Sequence, residues 1–291
     1  MAFSSVEGLL AAARTTPLWQ AVLEDDQRDR GVAREHSWAQ MERLWKAMQA
    51  PLEDYDPARR SPSGLSGGEG ARLDGTGPGL CPPFLRRIIA AALKTGECNA
   101  CMRRIVAAPT AGACGVMPAV LLPLCKYEEL SQHQILEALY VASGIGAVIA
   151  YRACIAGASG GCQAEIGTAS AMAAGALVAL RGGTGEQIGH AVAMALKNLM
   201  GLICDPVAGL VEVPCVKRNV IGAVNAVSVA DMAMAGITSR IPVDEVIDAM
   251  GEVGRRMPVE FRETALGGLA VTPTGKAVKK KMRQGKGEDA L

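Results

Sequence analysis

EIGTASAMAAGALVALRGG, residues 165–183, has the spacing of a helix built almost wholly from small and aliphatic side chains, and it stops at a glycine pair. The same style surrounds it on both sides. FLRRIIAAALKTG (84–96) and ILEALYVASGIGAVIAYRA (135–153) come before it, and EQIGHAVAMALKNLMGLI (186–203), KRNVIGAVNAVSVADMAMAGI (217–237) and VDEVIDAMGEVGRRM (243–257) follow. Runs alternating with period two between hairpin turns are scarce, so the expectation is an all-α fold. Aromatics make up only 3% of the 291 residues while glycines number 34, so the core must be Ala, Val, Leu, Ile and Met in closely packed helices.

Composition removes several function classes. Thirty Lys+Arg against 29 Asp+Glu leave a net charge of +1, which offers no electrostatic case for nucleic acid or a membrane surface. The most apolar stretch, Ala138–Tyr151, is 14 residues long, short of the roughly 18 to 20 that a spanning helix needs. Nine cysteines in a long chain with no charged-then-apolar leader point to a reducing cytoplasm and not to a disulfide framework.

The chain reads as a single catalytic domain, 1–291. Residues 1–50 carry apolar groups at helical spacing (Val22, Leu23, Met41, Leu44, Trp45, Met48) and predict two amphipathic helices. Residues 51–83, around SPSGLSGGEGARL and DGTGPGLCPP, predict a long Gly/Pro-rich loop or linker. Residues 84–275 form the core, and 276–291, ending in VKKKMRQGKGEDAL, a charged, fraying tail.

Three cysteines stand in segments where small residues or proline-bounded turns would let a bulky inorganic group approach the backbone: SGGCQAEIG (Cys162), LICDPVAGL (Cys204) and EVPCVKRN (Cys215). They read as ligands to an iron-sulfur cluster, and three thiolates on four irons leave one iron open as a Lewis acid. Cys162 follows a glycine pair at the start of a helix, where unpaired N–H groups favour a thiolate; an isolated buried thiol used for packing reads the same way. Cys204 and Cys215 flank a turn-rich excursion holding Asp205, Pro206, Gly209 and Pro214, although their spacing matches neither a clustered ferredoxin pattern nor paired zinc ligands.

Other motifs carry less. Cys98 and Cys101 form a lone C-x-x-C with too few ligands for structural zinc, and Cys81, Cys125 and Cys154 read as packing. APTAGACG (108–115) opens a turn whose Thr110 and backbone amides around Gly112 could cradle a carboxylate, or whose Thr110 could simply cap a helix. Lys197 and Asn198 interrupt an apolar helix shortly before Cys204, so Lys197 is either snorkelling or a base, and Asn198 could bond a substrate carboxylate. His36, His133 and His190 lie in polar or surface-like settings and suggest no histidine mechanism.

The strings APTAGACG, SGGCQAEIGTASAMAAGALVAL, LKNLMGLICDPVAGLVEVPCVKRN, ADMAMAGITSRIP and LGGLAVTPTGK closely resemble the α chain of the iron-sulfur-dependent L-serine dehydratases, from about Ser61 to Lys276. The resemblance implies a 4Fe-4S cluster on Cys162, Cys204 and Cys215, a helical catalytic unit, a cytoplasmic location, L-serine as substrate and a role in serine catabolism or gluconeogenesis. It also implies a separate β chain as partner and no inhibitory cysteine-bearing tail. The expected chemistry is β-elimination, the open iron taking the serine hydroxyl and Lys197, or a group on the partner, taking the α-proton, to give pyruvate and ammonia. The alternative expectation is an electron-transfer or scaffold subunit whose cluster takes Cys114 as fourth thiolate.

Overall fold

The computed structural model describes residues 3–74 and 79–288. Among the described residues twelve α-helices run in order: α1 Val6–Ala12, α2 Leu18–Arg30, α3 Arg34–Glu53, α4 Pro83–Ala100, α5 Val116–Tyr127, α6 Gln132–Arg152, α7 Gly157–Gly160, α8 Thr168–Leu180, α9 Gly185–Leu199, α10 Cys215–Met234, α11 Val243–Arg256 and α12 Pro273–Glu288. No strand occurs among the described residues, which makes the fold all-α; an isolated parallel bridge joins Cys204 to Arg262.

Helix α8 is the axle. Every residue from Thr168 to Val178 is buried, and α5, α6, α9 and α10 pack around it. Small side chains make this possible: a Cβ on Gly175 would run into Ile145 of α6 and lie 3.3 Å from Val192 of α9. Helices α6 and α9 each begin with a capping box, Ser131 with Gln134 and Thr184 with Gln187, which satisfies amides that the first turn leaves unpaired. Helix α6 is 21 residues, longer than its apolar run, and by length and composition could cross a membrane; 67% of its apolar window is nevertheless buried in this fold.

The N-terminal layer holds three helices where the sequence suggested two, because Pro17 cannot donate a backbone bond and splits short α1 from α2. Asp244 of α11 caps α1, its oxygens accepting from Val6 N at 2.8 Å and Glu7 N at 3.0 Å. Helices α2, α3 and α6 meet at Ser37, whose hydroxyl lies 2.5 Å from Asp26 Oδ2 and 2.7 Å from the Tyr140 hydroxyl. Trp38 stacks on Tyr140 at 5.7 Å and meets Trp19 edge-on at 5.9 Å.

Two expected boundaries shift. Helix α3 continues through Pro51 to Glu53, the ring sitting buried in its last turn. From there to α4 the chain makes turns and one 3-10 helix, Gly70–Leu73, with residues 75–78 of the expected linker outside the described residues. Two buried carboxylates hold this segment down. Glu97 of α4 accepts from the Tyr55 hydroxyl, from Glu69 N at 2.9 Å and from Gly70 N at 3.3 Å. Glu212 accepts from Ser61 Oγ at 2.6 Å and Ser63 Oγ at 2.5 Å. The expected tail, 276–291, is instead helical to Glu288, since Thr272 Oγ1 accepts from Gly275 N at 3.1 Å and Pro273 starts the turn without an amide to lose; residues 289–291 lie outside the described residues.

Candidate functional site

Each predicted thiol is delivered by a different local device. Gly161 reaches φ +76°, and a Cβ there would lie 2.7 Å from Met257 Sδ and 2.9 Å from Leu202 O, so only glycine lets the chain turn into Cys162. Gln163 then stitches this segment to the one before Cys204. Its amide donates to Leu202 O at 2.9 Å, its Oε1 accepts from Gly201 N at 2.8 Å, and its Nε2 donates to Met250 O at 3.2 Å. Residues Gln163–Gly167 form a single π-turn feeding α8, a widening that recurs at functional positions. Glu165 sits inside that turn.

Cys204 is fixed through its backbone, its amide donating to Phe261 O at 2.8 Å and its carbonyl accepting from Glu263 N at 2.9 Å. Cys215 is the first residue of α10. Its carbonyl accepts from Asn219 Nδ2 at 2.9 Å, and the same amide group donates to Gly112 O at 2.8 Å while Asn219 Oδ1 accepts from Gly115 N at 2.8 Å. The APTAGACG turn is thereby tied to the start of α10.

These devices bring the groups together. Cys162 Sγ, Cys204 Sγ and a Glu165 carboxylate oxygen lie within 4.8 Å of one another, all buried. Cys215, 7% exposed, lies outside that 4.8 Å group, at the head of α10, which packs against the Gln163–Gly167 turn. A Cβ on Gly157 would stand 3.1 Å from Cys204 Sγ and 2.7 Å from Glu165 Oε2, so the space beside them is kept by the missing side chain.

The Cys204 thiol donating to Cys162, helped by the Arg218 guanidinium and opposed by burial, holds the Cys162 thiol below its usual range. Cys204 is pushed up because it donates that bond and is buried; Cys215 is pushed up by burial and then by the charges of Cys162 and Glu165. Burial also raises Glu165, with the Thr110 hydroxyl working against it. Two buried thiols, Cys162 and Cys204, with the Glu165 carboxylate beside them and Cys215 heading the adjoining helix, are a donor set suited to a thiophilic cation or cluster, which supplies positive charge.

The other predicted residues divide. Thr110 does not cap a helix; its Oγ1 donates to Glu165 Oε1 at 2.7 Å, and a Cβ on Gly112 would lie 3.1 Å from that same oxygen. Both therefore face the Glu165 carboxylate. Lys197 and Asn198 do not: Lys197 Nζ donates to Ser239 Oγ at 2.9 Å, and Asn198 Nδ2 donates to Asn225 Oδ1 at 2.7 Å. Cys114, offered as a fourth thiolate, is fully buried and pushed up to about 12, chiefly by burial; its thiol faces Thr95 O at 3.9 Å. His190 is half-buried, its Nε2 3.6 Å from Glu186 Oε1 and without a hydrogen bond.

Sequence reasoning missed Glu165, Arg218, Asp205 and Asn219 as site residues. The available signals were a carboxylate opening the small-residue run and an arginine one helical turn past Cys215. A cavity of about 480 Å³ between α4 and α5, lined by Arg86, Arg87 and Lys126, shares none of these residues, so volume alone does not mark the site.

With that geometry in view, the comparisons are informative. The family model described as "Serine dehydratase alpha chain" matches residues 13–270, a span that holds all three thiols. This chain belongs to the serine dehydratase alpha-chain family. Among its members, the probable L-serine dehydratase alpha chain of Bacillus subtilis (strain 168) is 48% identical over 86% of this chain and 84% of its own length. The probable L-serine dehydratase alpha chain of Latilactobacillus sakei is 57% identical over 65% of this chain and 90% of its own. L-serine dehydratase 1 of Escherichia coli (strain K12) is 44% identical over 62% of this chain but only 40% of its own length.

Proposed function

We propose that this chain is the catalytic α chain of an L-serine dehydratase, a lyase converting L-serine to pyruvate and ammonia, with a 4Fe-4S cluster on Cys162, Cys204 and Cys215. The observation that carries the cluster reading is the meeting of Cys162, Cys204 and Glu165 within 4.8 Å of one another, all buried, beside the helix that Cys215 begins. The donor set fits the group: soft thiols, a glycine at 157 leaving clearance beside Cys204, and one guanidinium offsetting negative charge. When bound, a cluster held by three thiolates supplies a Lewis-acidic iron that makes the serine hydroxyl a better leaving group.

The chain's own residues supply the rest. The reaction removes the α-proton and the β-hydroxyl as water; the resulting aminoacrylate tautomerises and hydrolyses, with no net electron transfer. Thr110 and the Gly112 backbone, beside Glu165, are assigned to orient the substrate carboxylate. Glu165, whose oxygen shares the centre with Cys162 and Cys204, is assigned the α-proton in place of Lys197, whose ammonium is turned to Ser239. Burial of Cys162, Cys204 and Cys215 keeps bulk water from the hydroxyl-leaving step.

The relatives named alpha chains support a separate β chain as partner, and a cytoplasmic location goes with a metabolic role of this kind. The test is anaerobic iron and sulfide content measured with serine-dependent pyruvate formation, for the parent chain and Cys204→Ala, with and without a co-expressed second chain. Near four irons per chain, serine-dependent pyruvate, and loss of both in Cys204→Ala are expected. Full turnover without iron would remove the cluster from the reading.

A further inference from the structure

Arg218 stands three residues after Cys215 on α10, and its guanidinium spans the other two thiol-bearing segments. Nη1 donates to Cys162 Sγ at 3.2 Å and to Ile203 O, the carbonyl just before Cys204, at 2.7 Å. Nη2 donates to Asp205 Oδ1 at 2.9 Å. The Arg218 side chain is 12% exposed and that of Asp205 3%. The second Asp205 oxygen accepts from Leu269 N at 2.8 Å. Gly268, at φ +55°, permits this approach, since a Cβ there would collide with the Asp205 carboxylate.

The geometry points to Arg218 as the positioning residue of the thiol centre, with Asp205 carrying the brace to the segment that enters α12. The Cys162 segment lies far in sequence from the other two, and this one side chain touches the sulfur of the first, the backbone of the second, and belongs to the helix that begins with the third. An ion pair present only for stability would need Asp205 alone. Here the same Nη1 also reaches the sulfur and the carbonyl flanking the second sulfur. A planar fork with several fixed donors can do this, whereas an ammonium is a single point charge. Among the charges acting on Cys162 and Cys215, Arg218 is the cation, so it also offsets the negative charge gathered there.

The part of this inference that concerns iron rests on the cluster reading above; the brace itself does not. The test uses the full chain carrying Arg218→Gln, Arg218→Lys and Asp205→Asn, with far-UV circular dichroism confirming that each folds. The first readout is hydrogen exchange by mass spectrometry on cluster-free protein. Losing a buried charged hydrogen bond should open the braced segments about 10-fold or more faster, so peptides covering 199–206 and 262–270 should exchange faster in all three variants while α8 stays as in the parent.

The second readout is the reconstituted cluster: its electron paramagnetic resonance spectrum after reduction and its rate of bleaching in air. Arg218→Gln should shift the spectrum and bleach about 10-fold faster, and Arg218→Lys, which keeps the charge but not the fork, should recover only part of the parental lifetime. Parental exchange in a folded Arg218→Gln variant overturns the brace. Faster exchange with an unchanged spectrum and lifetime reduces Arg218 to an ordinary ion pair and overturns the positioning role. If the parent holds no iron, the cluster reading fails and the exchange measurement alone decides the brace.

Discussion

A buried carboxylate in a helix of alanines asks for a reason, and Glu165 finds it in Thr110 and the thiols of Cys162 and Cys204. Glu165→Gln keeps the shape and the Thr110 contact but removes the proton acceptor. Turnover should fall by roughly 10²- to 10⁴-fold, the range for a lost acid-base group, with iron content unchanged. Lys197→Met should instead cost about 1 kcal/mol of stability by dropping the Ser239 bond, and leave turnover within a few-fold of the parent. A dead but iron-loaded Lys197→Met enzyme would return the base to the lysine. That Cys162 and Cys204 lie together was legible from their settings, glycines and prolines where a packing thiol would have had aliphatic neighbours. Glu165 and Arg218 were not, because a carboxylate or guanidinium acquires its role only when loops far apart in sequence place a sulfur beside it.

Periodicity alone revealed the central helices, and the boundaries that moved did so for local reasons: a proline splitting α1 from α2, and a threonine cap starting α12. The close packing implied by so few aromatics is sharpest on α8. Gly175→Val would thrust a branched side chain against Ile145 and Val192, and overpacking of this kind costs typically 1–3 kcal/mol. The denaturant midpoint should drop accordingly; an unchanged midpoint would mean that α6 and α9 can separate freely.

The junction of α2, α3 and α6 also has a pH signature. Burial works to raise the pKa of Asp26, but hydrogen bonds from Arg30 and Ser37, with the Arg30 charge, outweigh it and hold the carboxyl below its usual 3.8. A group lowered in the fold stabilises it above the unfolded value, and that contribution disappears as pH falls through the folded value. The parent should therefore lose stability relative to Asp26→Asn only below about pH 4. Parallel melting curves for the two from pH 3 to pH 7 would contradict the network.

At the scale of the whole molecule, the segments that carry the thiols are tied to the scaffold by bonds made within the chain. Cys204 is held by Phe261 and Glu263, Cys215 by the start of α10, and Cys162 by the Gly161 turn and the Gln163 bonds. Stripping metal with a chelator in air should abolish pyruvate formation yet leave far-UV circular dichroism nearly intact, in contrast to small zinc domains that unfold when emptied. A large loss of helicity would show instead that the group organises the core.

The placement of the indoles has a practical consequence. Trp19, Trp38 and Trp45 are all the tryptophans the chain has, and every one belongs to α2 or α3. Intrinsic fluorescence is consequently a beacon for the amino-terminal layer and blind to the chemistry. If that layer peels away first, emission will redden while the ellipticity of the inner helices persists, and the gap between the two signals will gauge how strongly the Ser37 junction ties the outer helices to the catalytic interior.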